Sequence, residues 1–84
     1  MVQKSVQIKV EGGLEARALA MLVQTASQYD SKVYIESGSM KVNAKSIMGM
    51  MSLGIDNGET VNVIADGEDE TAAVNGIEKF LSGR

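Results

Sequence analysis

The 84-residue sequence contains no cysteine, no histidine and no proline. Without cysteine there is no disulfide, thiol nucleophile or cysteine-based zinc site, and a reducing cytoplasm is compatible with the chain. Without histidine there is no Ser-His-Asp triad, no imidazole acid–base group and no histidine metal ligand. We therefore expect a protein that is not an enzyme and that binds neither a metal nor a cofactor.

The chain also lacks long apolar runs and an excess of basic residues. Its apolar runs are too short to span a bilayer, and its first residues alternate polar and apolar, unlike a signal peptide. The net charge of −3 is unlike the basic surface of a nucleic-acid-binding protein. A hydrophobic fraction of 44% is enough for one modest core. We interpret residues 1–84 as one cytoplasmic interaction domain that contacts neither membrane nor nucleic acid directly.

Four segments alternate apolar and polar residues, which is typical of strands with one buried face. Their apolar positions are Val6, Ile8 and Val10; Val33 and Ile35; Met40 and Val42; and Val61, Val63 and Ala65. Helical spacing predicts three helices between and after them. These run from Leu14 to about Tyr29, from just after Ser46 to Leu53 before Gly54, and through Ala73, Ile77, Phe80 and Leu81.

The resulting order, βαββαβα, predicts an α+β open-faced sandwich. Its four-stranded antiparallel sheet would be covered on one face by helices. The acidic run Glu68-Asp69-Glu70 is interpreted as the start of the last helix rather than as a cation site, because acids stabilise a helix N-terminus.

The first candidate site is the loop that leads into the first helix. Gly12 and Gly13 allow a tight turn that exposes backbone N–H groups, and Arg17 adds a bidentate donor for a phosphate or carboxylate. The alternative is an ordinary strand-to-helix connection with a surface arginine. Glu15 fits that alternative as well, since an acid near a helix start is mildly stabilising.

The second candidate site is Ser46 and the methionine-rich segment after it. A serine that caps a helix is an apt phosphorylation site, because the added charge meets free amides and the positive end of the helix dipole. Four apolar residues follow, Ile47, Met48, Met50 and Met51, and so short a helix cannot bury them all. Exposed methionines suit protein docking. The alternative is that Ser46 is only a cap and the methionines fill the core.

Both segments resemble the HPr family, the small phosphocarriers of the bacterial sugar phosphotransferase system. Gly13-Leu14-x-Ala16-Arg17 is similar to the family's active-site loop, and the segment from Leu22 to Ser27 to its first helix. The segment from Lys41 to Gly49 is similar to the regulatory serine region. The resemblance runs essentially end to end, and it implies a four-stranded antiparallel sheet backed by three helices.

The sequence departs from the family's phosphocarriers at the active-site loop. Glu15 occupies the position of the phosphocarrier histidine, and Ala18 replaces the usual proline. A carboxylate cannot serve as that phosphohistidine, so the resemblance implies no carrier activity. It points instead to the regulatory branch that lacks the histidine, catabolite-repression HPr. A further hypothesis is that the charge of Glu15 imitates a phosphorylated histidine.

The resemblance to the regulatory branch also implies partners. HPr kinase/phosphorylase would phosphorylate Ser46, and the product would act as corepressor of a LacI-type catabolite control repressor. By matching positions, the contact residues would be Ala16, Arg17, Ala20, Ile47, Met48 and Met51. Two alternatives stay open: a phosphocarrier of the phosphotransferase system, divergent or with a substituted histidine, and an allosteric regulator of a metabolic enzyme.

Overall fold

A computed structural model describes residues 1–83 of the chain. Its elements follow the predicted order: β1 (Val2–Gln7), α1 (Ala16–Ser27), β2 (Lys32–Ser37), β3 (Met40–Asn43), α2 (Ile47–Leu53), β4 (Thr60–Asp66) and α3 (Glu70–Leu81). The strands form one antiparallel sheet in the order β1-β4-β2-β3. The helices pack against one face of this sheet, so the predicted open-faced sandwich is confirmed.

The core lies between the sheet and the helices. Val63, on the central strand β4, is opposite Ile35 of β2 in the antiparallel register, and both side chains are fully buried. Residues that are directly opposite in a sheet share a face, so this pair marks the face that the helices cover. Leu22 of α1 and Ile77 of α3 are fully buried against it.

Strand β1 begins and ends earlier than the alternation predicts. The backbone N–H of Ile8 still donates to the carbonyl oxygen of Glu59 at 2.9 Å. Val10, in contrast, pairs with a side chain: its N–H donates to Asn57 Oδ1 at 2.8 Å, and its carbonyl accepts from Asn57 Nδ2 at 2.7 Å. The chain therefore leaves the sheet before Val10, although that residue keeps the polar–apolar alternation.

Helix α1 is shorter at both ends than the predicted span from Leu14 to Tyr29. Glu15 has an extended backbone, with φ −82° and ψ 176°, so the helix begins at Ala16. At the other end the helix closes with Gln28 as its C-cap residue. Leu14 is nevertheless buried, which explains why its apolar character fits the helical pattern without its backbone joining the helix.

Candidate functional site

Ser46 is the N-cap residue of α2. Its backbone is extended, with φ −109° and ψ 115°, and its Oγ accepts a hydrogen bond from the backbone N–H of Gly49 at 3.2 Å. The Ser46 carbonyl accepts from the N–H of Met50 at 3.0 Å and begins the helical ladder. The predicted cap is confirmed, and so is the predicted end of the helix, because Gly54 is its C-cap residue in the left-handed conformation.

Gly49 and Lys45 are two neighbours of Ser46, which is partly exposed. A Cβ atom at Gly49 would lie 3.4 Å from Ser46 Oγ, at ordinary van der Waals distance. Lys45, the basic residue next to Ser46, points elsewhere: its Nζ donates to the carbonyl oxygen of Tyr29 at 2.6 Å. A phosphoryl group on Ser46 would therefore not find Lys45 already free as its counter-ion.

Helix α2 divides its apolar residues between two faces. Met50 is fully buried and Leu53 is nearly so, whereas Met48 is 80% exposed and Met51 is 55% exposed. Ile47 is also exposed. The two interpretations of this segment thus apply to different residues. Met50 is a core residue, whereas Met48 and Met51 are exposed and available to a partner.

The first turn of α1 presents a polar and small-residue surface. Glu15, Ala16, Arg17 and Ala20 are all exposed. Glu15 is the N-cap residue, but its side chain makes no capping hydrogen bond. Gly12 and Gly13, with φ values of 80° and 82°, make the left-handed turn before it, which few other residues adopt. Helices α1 and α2 contact each other, so both sets of candidate residues lie on adjoining elements.

A cavity of about 400 Å³ lies beside this first turn. Its walls come from the turn after β1, from α1 and from α3, and they are formed by Val10, Glu11, Gly12, Gly13, Glu15, Arg17, Ala18, Met21 and Phe80. Phe80 belongs to the apolar stripe predicted for α3. Its side chain packs against the core on one side and is partly exposed in the cavity wall on the other.

Met21 is a surface residue that the sequence interpretation left out, although it is 50% exposed. It lies four positions after Arg17 on α1, and residues at that spacing share a helix face. That spacing was the signal that could have identified it. Within residues 1–83 Arg17 forms no ion pair, so its guanidinium is available to a partner.

Among residues 1–83 no three carboxylate side chains lie close enough together to hold a metal ion. In the same range none of the helices has the length and apolar character needed to cross a membrane.

Comparisons with known proteins extend over nearly the whole chain. A family model described as the PTS HPr component phosphorylation site matches residues 2–83. The chain belongs to the HPr family. Among its relatives, the HPr-like protein Crh of Halalkalibacterium halodurans is 46% identical over 81 residues, which cover 96% of each protein.

Solved structures of HPr-family proteins share this fold. The phosphocarrier protein HPr of Bacillus anthracis has a TM-score of 0.91 at 39% identity, with 95% of each chain covered. Crh of Bacillus subtilis, described as a catabolite repression protein that forms an intertwined, swapped dimer, has a TM-score of 0.81 at 43% identity, covering 100% of this chain and 97% of the other. Carriers and regulators of the HPr family thus have the same architecture, and the fold alone does not separate them.

Proposed function

We propose that this HPr-family protein regulates carbon catabolite repression through phosphorylation of Ser46 by HPr kinase/phosphorylase. The phosphorylated form then acts in the cytoplasm as corepressor of a LacI-type catabolite control repressor. The observation that carries the proposal is the position of Ser46, whose hydroxyl caps α2 directly before the exposed residues Ile47, Met48 and Met51. The similarity to Crh, a catabolite repression protein in Bacillus subtilis, supports it.

The proposal does not include phosphohistidine transfer. The chain contains no histidine, so no imidazole can accept and pass on a phosphoryl group. Glu15, in the position that the family resemblance gives to the carrier histidine, is an exposed carboxylate at the start of α1. A carboxylate near a helix N-terminus stabilises the helix in any protein, so it needs no further role.

The docking surface, as we define it, consists of exposed residues of α1 and α2: Ala16, Arg17, Ala20, Ile47, Met48 and Met51. Phosphorylation adds a charge of about −1.5 to −2 and three strong acceptor oxygens at Ser46, next to this surface. Basic residues of the repressor would bind the phosphoryl group, and its apolar side chains would pack on the methionines. Arg17 would offset part of the added negative charge. The protein contacts the repressor and not the operator DNA.

The chemical step is tested by incubating the protein with ATP and HPr kinase/phosphorylase, followed by mapping of the modified residue by mass spectrometry. Ser52 provides a matched control, because it lies on the same helix, is exposed, and donates its hydroxyl to the Gly49 carbonyl at 2.7 Å. We expect one phosphoryl group in the wild type and in Ser52→Ala, and none in Ser46→Ala. Phosphorylation of Ser46→Ala would contradict the proposed site.

The regulatory step is tested by the affinity of the phosphorylated protein for the repressor. We expect measurable binding for phosphorylated wild type and no comparable binding for the unmodified protein or Ser46→Ala. Incubation with labelled phosphoenolpyruvate and the general phosphotransferase enzyme should leave the chain unlabelled; label would favour a carrier. Capture of a metabolic enzyme in place of the repressor would favour the allosteric alternative.

A further inference from the structure

The six methionines of this chain are its most readily oxidised side chains, because it has no cysteine and no tryptophan. Three of them are exposed on the helices that carry the docking surface, whereas a fourth methionine on α2 is buried. Met48, Met51 and Met21 are 80%, 55% and 50% exposed, whereas Met50 is 0% exposed. One seven-residue helix, α2, thus holds two accessible thioethers and one protected thioether.

We propose that Met48, Met51 and Met21 are sites of oxidation by hydrogen peroxide, and that sulfoxides at Met48 and Met51 weaken docking of the phosphorylated protein. The effect on docking rests on the proposed function; the sites of oxidation do not. In the reaction the thioether sulfur attacks one peroxide oxygen, the S–O bond forms as the O–O bond breaks, and sulfur loses two electrons. The departing hydroxide removes the proton from the hydroxyl group now bound to sulfur, which leaves a sulfoxide and one molecule of water.

The expected effect on docking follows from the change in polarity. A thioether is apolar and flexible and adapts to an apolar partner surface, whereas a sulfoxide carries a strong hydrogen-bond acceptor. Burying that acceptor against an apolar partner without a donor carries a desolvation penalty. Met48 and Met51 both belong to the docking surface, so a partner that packs on them meets this penalty at two positions.

The fold itself should survive the modification. Met48 and Met51 project from the exposed side of α2, while the contact of α2 with the core is made by Met50 and Leu53. Met50 cannot be reached by peroxide while the helix is packed. Oxidation should therefore change the surface of α2 and leave its position on the sheet unchanged.

The sites are tested by titrating the folded protein with hydrogen peroxide and mapping the sulfoxides by mass spectrometry. Met48 and the 72% exposed Met1 should be modified first, Met51 and Met21 next, and Met50 only after unfolding in urea. Met40 on β3, which is 44% exposed and outside the helices, provides an internal reference for an ordinary surface methionine. Oxidation of Met50 as fast as Met48 in the folded protein would overturn the proposal.

The effect on docking is tested with protein that is first phosphorylated on Ser46 and then oxidised. We expect oxidation to lower its affinity for the repressor by about tenfold, the effect of losing one well-packed contact residue or more. The double variant Met48→Leu/Met51→Leu has no thioether at either position, so its own affinity, whatever its starting value, should be the same before and after peroxide treatment. Met40→Leu should remain as sensitive as wild type, and methionine sulfoxide reductase should restore binding.

The outcomes separate the two proposals. Unchanged repressor affinity after oxidation of Met48 and Met51 would overturn the effect on docking while leaving the proposed function intact. Failure of the unoxidised phosphoprotein to bind would contradict the proposed function, and the order of oxidation would still decide the sites. Equal peroxide sensitivity of the double variant and wild type would show that other residues cause the loss.

Discussion

The carboxylate of Asp69 accepts hydrogen bonds from both the backbone N–H and the hydroxyl of Ser31, a residue 38 positions earlier in the chain. Its second oxygen accepts from the backbone N–H of Asp30 at 2.9 Å. Ser31 is almost completely buried. The carboxylate of Asp69, at the start of α3, thus fixes the position of the connection between α1 and β2.

These hydrogen bonds make stability depend on pH. They lower the pKa of Asp69 below its ordinary value of 3.8, chiefly through the Ser31 hydroxyl and then through the Asp30 N–H. Because the charged form is favoured in the folded state, Asp69 stabilises the protein above pH 3.8, and the contribution is lost as pH falls through its lower folded pKa. Asp69→Asn should melt at a lower temperature than wild type at neutral pH.

The difference in melting temperature should shrink as the pH is lowered from about 5 toward the folded pKa, since the wild-type carboxyl group then takes up a proton. Thermal unfolding followed by circular dichroism across this range measures it. Asp56→Asn, at an exposed position in the loop before β4, is the control. A difference for Asp69→Asn that stays constant into strong acid would exclude this source of pH dependence.

The cap of α2 predicts different changes in stability for two substitutions of Ser46. Ser46→Ala removes the acceptor of the Gly49 N–H and should cost about 1 kcal/mol of unfolding free energy. Ser46→Asp should be near neutral, because aspartate is as good an N-cap as serine. Urea unfolding measures both, with Ser52→Ala as a control expected within about 0.5 kcal/mol of wild type. Equal losses for both Ser46 variants would argue against the cap.

The two faces of α2 should differ strongly in their sensitivity to truncation. Met50→Ala leaves a cavity in the core and should lower the free energy of unfolding by about 2–5 kcal/mol. Met51→Ala, one position along, should change it by no more than about 0.5 kcal/mol, because the side chain is largely exposed. Chemical denaturation of both variants checks this. Similar losses would mean that Met51 also contributes to the core.

Gly49 offers a stabilising substitution. It lies inside α2, its backbone does not require positive φ, and an added Cβ would meet only ordinary contacts at 3.4–3.5 Å from Ser46 and Val42. Gly49→Ala should therefore raise the free energy of unfolding by about 0.5–1 kcal/mol through helix propensity. A rise in melting temperature is the expected result. A fall would show that the neighbours of Gly49 cannot yield the small space that a methyl group needs.

The order of elements and the cap at Ser46 were predictable because they depend on local signals. Strand alternation, helical spacing and a serine before a short apolar run all act over a few residues. The HPr-family fold followed from them and from the motifs around Arg17 and Ser46. The split of methionines within α2 was predictable only in outline, since the pattern shows that some must be exposed but not which ones.

The features that were not predictable depend on residues far apart in the chain. The alternation through Val10 does not indicate that the backbone of this residue bonds to the side chain of Asn57 instead of to a neighbouring strand. Likewise, the acidic run before α3 predicts a helix start but not that Asp69 would bond to Ser31. The cavity beside Arg17 needs Phe80 from the opposite end of the sequence. These contacts form only when distant parts of the chain come together, and the residues that make them follow no regular spacing in the sequence.

The shortness of α2 has an electrostatic consequence. At a rise of about 1.5 Å per residue, its seven residues extend roughly 10 Å, close to the Debye length of about 8 Å at physiological ionic strength. Charge added at the N-cap is therefore only partly screened at Met48 and Met51. Under the proposed function, a partner that packs on these apolar side chains would also lie within the electric field of a phosphoryl group on Ser46. Charge and hydrophobic contact would then be recognised together on one seven-residue helix.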